Sequence, residues 1–462
     1  MLSLFPARQS SLQRTPRTHG ERGARRHGLP GTTSIEPVRS RAESHRSMAP
    51  TRRMKRTTGP SRLKVRSSST PTRQRRDLSR SPRRSQRLGP PPTAYYGIAL
   101  IVAVLVMLGL VMVLSVTSAA SVGTQTSAYA VVERQLGWAV IGLTLMVLIL
   151  KIDYGWWRRV IPVGMALSAA AMLLPFAPGI GGEINDARSW VWLGPVSFQP
   201  VEFMKLATIA MLAYYLADQG DRVRERRYGI IPTILILGFG VLVSLVQKDI
   251  GSAVVLAGAG IGVAVIAGVP FTHLTITSLA GMLGLIFLIL HNPRGMARVT
   301  SFFNPEATSQ GAGYQSRQGQ LSIANGHLFG AGIGASRFKR GYLPYAESDF
   351  IFAIIAEELG LIGSIAVIGG FAILVWFGVQ TALAAPDRFG MLLAGGIATW
   401  FGVQAGVNLA GVAGVLPVTG ITLPFISKGG SSLIVSLVAA GLLLNIARRA
   451  RTSDLRLVTK GT

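Results

Sequence analysis

The stretch from Gly97 to Val116 reads GIALIVAVLVMLGLVMVLSV, an unbroken run of twenty residues without a charge. As a helix it would be about 30 Å long, which matches the hydrocarbon core of a bilayer. It lies within a first predicted membrane span at about 95–118. Further apolar runs follow at about 131–150, 159–177, 201–217, 229–247, 250–269, 273–291, 359–381, 389–411 and 432–448. The fold class this implies is all-α and membrane-integral, with about ten transmembrane helices and a large loop between spans 7 and 8. Composition agrees: 49% of the 462 residues are hydrophobic and the mean hydropathy is +0.42. With no cysteine, the chain has no disulfide framework, thiolate metal site or cysteine nucleophile.

The net charge of +27 is unevenly spread. Residues 1–93 carry 23 Lys and Arg against 4 acids, and the remainder carries 24 against 16. The first 93 residues are rich in Arg, Ser, Pro and Thr and lack apolar periodicity, so they read as a disordered basic tail. That tail would be drawn to anionic headgroups. No nucleic-acid motif accompanies the charge, and nucleic acid is not expected as a partner. The division of the chain is therefore 1–93 tail, 94–450 membrane domain and 451–462 C-terminal tail.

The positive-inside rule orients the spans. Lys151, Arg158 and Arg159 follow the second, and Arg222, Arg224, Arg226 and Arg227 follow the fourth. Arg388 follows the eighth, and Arg448, Arg449 and Arg451 follow the last. These loops and both termini are predicted to be cytoplasmic. The connection 292–348 is predicted to be external, yet it is basic, with Arg294, Arg298, Arg317, Arg337, Lys339 and Arg340. A basic external loop suits an anionic ligand. The run 349–380 is too long for one span and holds Glu357 and Glu358. An interfacial or re-entrant helix from near Asp349, bent near Gly360, is expected there.

An acid or base inside a span costs about 2.5–3.5 kcal/mol on insertion scales, so it is paired or functional. Glu202 and Lys205 are three residues apart and share a helix face, fitting either an internal salt bridge or a polar cavity wall. Gln247-Lys248-Asp249-Ile250-Gly251 reads as a polar turn between spans. Asp349, by spacing alone, reads as a helix N-cap. Gly258-Ala259-Gly260-Ile261-Gly262 and Gly330-Ala331-Gly332-Ile333-Gly334 imitate dinucleotide fingerprints without the strand–helix context these need. The first reads as close helix packing and the second as a flexible turn.

Four stretches, in order, resemble the SEDS family of peptidoglycan glycosyltransferases. They are Arg188-Ser189-Trp190 through Gln199-Pro200-Val201-Glu202 to Lys205; Gln247 to Gly251; Gly313-Tyr314-Gln315 through Gly341-Tyr342-Leu343-Pro344 to Asp349-Phe350-Ile351 and Glu357-Glu358-Leu359-Gly360; and Leu416-Pro417 through Leu423-Pro424-Phe425 to Gly429-Gly430-Ser431-Ser432. The similarity covers 95–450 and leans toward the cell-division branch rather than the elongation branch.

The resemblance implies a polymerase of lipid II acting outside the cytoplasmic membrane during septal wall synthesis. Lipid II is a disaccharide-pentapeptide on undecaprenyl pyrophosphate. Expected partners are lipid II, the undecaprenyl-pyrophosphate-linked glycan, a class B penicillin-binding protein and other division-site membrane proteins. Asp349 matches the family's essential acid, and Glu202, Lys205 and Asp249 match its polar set. Arg188, Gln199, Lys339, Arg340, Ser431 and Ser432 complete the expected site. Asp349 either takes the acceptor hydroxyl's proton or holds a divalent cation, Mg2+ or Mn2+, against pyrophosphate. No organic cofactor is expected. A lipid II flippase and a non-catalytic scaffold are the alternatives. The sequence departs from the family at Val201 (usually Ser), Lys248 (usually Pro), Glu347-Ser348 (usually His-Thr) and Lys428 (usually Tyr). Glu347 is expected either to raise the pKa of Asp349 or to share a cation with it.

Overall fold

The computed structural model describes residues 92–120, 128–184, 187–194, 196–304 and 311–450. The basic tail, apart from its last two residues, and the C-terminal tail lie outside these.

Helices fall where the apolar runs place them. They are α1 (Thr93–Ala120), α2 (Ala128–Lys151), α3 (Tyr154–Ala171), α4 (Pro200–Gln219), α5 (Ile230–Val246), α6 (Ile250–Ala267) and α7 (Phe271–His291). Two shorter helices, α8 (Pro293–Phe303) and α9 (Ala312–Asn325), occupy the long loop. Then come α10 (Ile351–Leu383), α11 (Arg388–Val412) and α12 (Gly430–Arg449). Among the described residues, nine helices are long and apolar enough to cross a membrane. The tenth expected span, α5, has 17 residues, about 25 Å by the helical rise. The chain is a multi-pass membrane protein. α11 and α12 are buried along most of their length, whereas α7 turns Leu279, Leu283, Phe287 and Leu290 outward. Outward apolar side chains carry no penalty in lipid.

Side-chain caps start several helices. Asp249 accepts from Ser252 N at 3.0 Å to begin α6, and Asp387 accepts from Gly390 N at 2.8 Å to begin α11. At the end rich in Lys and Arg, Asn445 ties α12 to the end of α2 through Ile149 O and Ile152 O, both at 2.6 Å. There Arg388 donates to Gly220 O and Ala267 O, joining α11 to the ends of α4 and α6.

One element was not anticipated. Between α3 and α4 lies an antiparallel sheet of β1 (Gly181–Ile184), β2 (Ala187–Leu193) and β3 (Val196–Phe198), in that order. Gly182 pairs with Trp190, and Val191 with both Gly181 and Phe198. Ser189 and Val191 point inward, an alternation too short to stand out among helical runs.

The break in α10 falls where expected. Gly360 has φ 67° and ψ −161°, dividing the helix into a short first part and a long second part. Such a break frees backbone groups that lipid cannot satisfy. The segment 327–332 satisfies them. Ala331 N and Gly332 N donate to Glu357 O and Glu358 O at 2.9 and 3.0 Å, while Leu361 N donates to His327 O at 2.9 Å. A side chain at Gly360 would strike the backbone of Gly330 and Leu328. The reading of Gly330–Gly334 as a flexible turn is therefore corrected: its start is a backbone insert locked to the break.

The two acids before the break serve the same junction. Glu358 accepts from Lys339 Nζ at 2.7 Å and from Ser115 Oγ of α1 at 2.8 Å. Glu357 accepts from Ser322 Oγ of α9 at 3.0 Å, from Ser336 Oγ at 2.5 Å and from Arg337 N at 2.9 Å. Every one of these side chains except that of Arg337, which takes part through its backbone, is more than nine-tenths buried. The network fastens the long loop onto α1 and α10.

Candidate functional site

A polar cavity of about 1130 Å³ lies at one end of the helix bundle. Its lining comes from the start of α2, the sheet, and the junctions β3–α4, α5–α6, α7–α10 and α11–α12. These are alternate connections along the chain. The connections rich in Lys and Arg, after α2, α4 and α10, contribute nothing to the lining.

Asp349 stands in the cavity wall, in the turn before α10. Burial pushes its carboxyl up from 3.8 to about 6. A hydrogen bond from Ser348 and the Arg298 guanidinium oppose the rise, and the Asp249 and Glu347 carboxylates add to it. Gly420, at φ +72°, lets the backbone approach both groups. A side chain there would begin 3.5 Å from Asp349 Oδ2 and 4.0 Å from Arg298 Nη2. A carboxyl with this pKa is divided between its two forms near neutrality, as a group that accepts and returns a proton must be.

Asp249 and Gln199 meet in the same cavity: Gln199 Nε2 donates to Asp249 Oδ2 at 2.9 Å. Ser431 accepts from Gln199 N at 3.3 Å, and Ser432 bonds Thr422 Oγ1 at 3.0 Å. Glu202 reaches the lining, and Lys205 lies behind it. Lys205 Nζ donates to Glu202 Oε1 at 2.8 Å and to Gln404 Oε1 at 2.9 Å, and lies 5.6 Å from the centroid of the Trp400 ring. Both earlier readings of this pair hold together, since it is an internal salt bridge and one member also lines the cavity.

Three expected residues lie elsewhere. Lys339 is buried against Glu358 and cannot meet a phosphate in the cavity. Its acceptors among the described residues, Ser115 Oγ and Glu358 Oε1, were invisible in the sequence because they come from α1 and α10. Arg340 is exposed and outside the lining. Arg188 on β2 is exposed and outside the lining, while Ala187, Ser189 and Trp190 around it line the cavity. The cations that do line it are Arg134, Lys248, Arg298 and Lys428. The sequence marks Arg298 only as loop charge; its place beside Asp349 depends on α8, which brings Ala297 and Arg298 to the lining.

Two departures from the family pattern meet each other. Lys428 Nζ lies 3.3 Å from Glu347 Oε1, and Lys428 N donates to Glu347 O at 2.9 Å. Glu347 thus has a partner of opposite charge at the cavity's edge and is the last of the influences on Asp349.

Among the described residues, no three His, Cys, Asp or Glu side chains converge as a metal cage. Asp249 has both oxygens occupied by Ser252 N and Gln199 Nε2. Asp349 shares the lining with the carboxylates of Glu183, Glu202 and Glu347, and is the one set beside Arg298. This fits a hard cation such as Mg2+, which is commonly held by one or two carboxylates together with substrate phosphates.

Fold and site together define a multi-pass membrane protein with an acid-bearing polar cavity at one end of its helices. The chain belongs to the FtsW/RodA/SpoVE family of cell cycle proteins, whose family model matches residues 96–452. It is 38% identical to the stage V sporulation protein E of Bacillus subtilis, over 77% of this chain and 97% of that one. It is 37% identical to a protein named probable peptidoglycan glycosyltransferase FtsW from Trichlorobacter lovleyi, over 77% and 93%. Among solved structures it resembles a chain of a peptidoglycan synthase complex described as coordinating polymerization and crosslinking, with TM-score 0.63, 29% identity and coverage of 76% and 97%. It also resembles the rod shape determining protein RodA of Thermus thermophilus, with TM-score 0.57, 28% identity and coverage of 77% and 97%.

Proposed function

We propose that this peptidoglycan glycosyltransferase polymerises lipid II into glycan strands at the outer face of the cytoplasmic membrane, in septal wall synthesis. The observation that carries this reading is the Asp349 carboxyl, raised to about 6 and set beside Arg298 in a cavity of about 1130 Å³. A sugar hydroxyl of the acceptor attacks the anomeric carbon of the donor, the bond from that carbon to the pyrophosphate oxygen breaks, and undecaprenyl pyrophosphate leaves. Asp349 takes the hydroxyl proton. Arg298, with Lys248 and Lys428 in the same lining, offers positive charge to the pyrophosphate as it departs. In the alternative role Asp349 would hold a divalent cation, Mg2+ or Mn2+, which would supply positive charge against the leaving pyrophosphate.

Alternate connections support the sidedness. Those that build the cavity are the ones the positive-inside rule places outside, with both termini in the cytoplasm. A class B penicillin-binding protein is the expected partner, because the solved complex that this chain resembles couples polymerisation to crosslinking. A flippase would need a site near the bilayer midplane. Here the lining polar groups belong to one end, and behind them Lys205 is committed to Glu202 and Gln404.

The test is polymerisation of labelled lipid II by the purified protein with its penicillin-binding partner and a divalent cation. Wild type is expected to make glycan strands and Asp349→Ala none. Equal product from both would remove Asp349 from the chemistry, and no product from either would favour the scaffold or flippase.

A further inference from the structure

The carbonyls of Glu347, Ser348 and Asp349 are consecutive, and each is held by a different group. Lys428 N donates to Glu347 O at 2.9 Å, Ser427 Oγ to Ser348 O at 2.7 Å, and Asn408 Nδ2 to Asp349 O at 2.9 Å. The first two holders lie in the segment between α11 and α12, and the third lies on α11 itself. We infer that Asn408 and Ser427 are positioning residues for Asp349, setting where its carboxyl stands relative to Arg298 and the cavity. The inference rests on Asp349 being the reactive carboxyl proposed above.

The geometry is specific to these two side chains. Asn408 Nδ2 also donates to Ile421 O at 2.7 Å, so both of its hydrogens are used between two carbonyls. Turning the amide over would set Oδ1 against two carbonyl oxygens, so the orientation is fixed by its partners. Among the described residues Asn408 Oδ1 has no partner, so only the donating half of the amide is used there. Ser427 donates its single hydrogen to Ser348 O and accepts from Leu423 N at 2.8 Å. Both residues are 4% exposed and neither lines the 1130 Å³ cavity; Asn408 borders with Asp349 only a void of about 10 Å³, too small for substrate, so their effect passes through the chain they hold. One turn earlier on α11, Gln404 Nε2 donates to Thr422 O at 2.9 Å. Gln404 and Asn408 thus fix consecutive carbonyls of the strand that approaches Asp349. Without Asn408, the turn carrying Asp349 loses its tie to α11. A displacement of about 1 Å at a reacting group costs on the order of a hundredfold in rate.

The experiment has two arms. In the first, lipid II polymerisation is measured with the partner bound, alongside Asp349→Ala. Asn408→Leu keeps the volume without the donors and is expected to lower kcat by about 10–100-fold, with KM within about threefold and the acid limb of the pH profile displaced. Ser427→Ala should fall, and Ser427→Thr, which keeps the hydroxyl, should recover most of the rate. The second arm needs no activity. The chain has no cysteine, so Asp349→Cys introduces a single thiol. Its labelling rate by a water-soluble methanethiosulfonate should change at least about fivefold when Asn408→Leu is added, while a thiol from the exposed-site control Tyr342→Cys labels unchanged. Equal labelling at position 349 overturns the inference, as does an unchanged kcat. A parallel change at the control position also overturns it, because that signals general loosening. If Asp349→Ala polymerises like wild type, the catalytic reading fails, and the labelling arm still decides whether Asn408 places this residue.

Discussion

Asp349 and Glu358 lie on one short segment of chain, one before α10 and one just ahead of its break. Glu358 is enclosed by Lys339 Nζ at 2.7 Å and Ser115 Oγ at 2.8 Å and is cut off from the cavity. Asp349 faces the cavity, and the cation that influences it, Arg298, shares that lining. Burial alone therefore does not mark function. An acid whose protein partners meet its needs holds the fold, and one left facing an open polar space is available to a ligand.

The sharpest way to break this contrast is to delete each acid. Asp349→Ala should reduce polymerisation by about 10²–10⁴-fold while leaving the protein folded, which is the contribution expected of a general base. Asp349→Asn should be equally inactive. The folded-state pKa of Asp349 itself, about 6 against 3.8, is raised. The stabilisation that goes with the protonated form is present at low pH and lost as pH rises through about 6. Asp349→Asn should consequently melt higher than wild type above pH 6, read by thermal unfolding in detergent.

Glu358→Ala should act through the fold. Removing one member of a buried pair costs about 3–5 kcal/mol because the other charge stays buried alone. The double change Glu358→Leu with Lys339→Met should recover much of that loss. Activity that tracked Asp349→Ala with no fall in melting temperature would overturn the structural role of Glu358.

The contrast is sharpened by pH. Wild-type kcat/KM should rise with pH through a midpoint near 6 as Asp349 ionises. Arg298→Gln removes the guanidinium that lowers this pKa, so the midpoint should move upward. A midpoint that stayed put would dissociate Arg298 from Asp349.

The smallest effects belong to the rim and the surface. Lys428→Ala should destabilise by no more than about 1 kcal/mol, as its pair with Glu347 is partly exposed. Arg340→Ala and Arg188→Ala should leave polymerisation within about threefold of wild type, since neither lines the cavity. A tenfold loss in either would restore it to the site.

Much of this was legible beforehand because hydrophobic length and charge asymmetry are local signals. The helical segments and the break at Gly360 needed only the sequence, as did the candidacy of Asp349 through the family resemblance; among the described residues nine of those helices are long enough to span, and the segment 229–247 gives a shorter one of 17 residues. The sheet was missed because β2 has only two inward residues, Ser189 and Val191, and β1 and β3 are shorter still. Lys339 was misplaced because a basic residue in a basic loop gives no sign of a distant acid. Its partners, Ser115 and Glu358, stand 224 and 19 residues away.

The sequence by itself determined that the chain is a multi-pass helical membrane protein of this family, with an acid at position 349, because these follow from composition and order along the chain. Only the tertiary structure decided which charges face the cavity and which are spent on the scaffold. Arg298 entered the site, Lys339 left it, Glu347 found Lys428, and Asn408 emerged beneath Asp349. Each of those outcomes depends on distances between segments far apart in sequence, and electrostatics and hydrogen bonding are decided by distance.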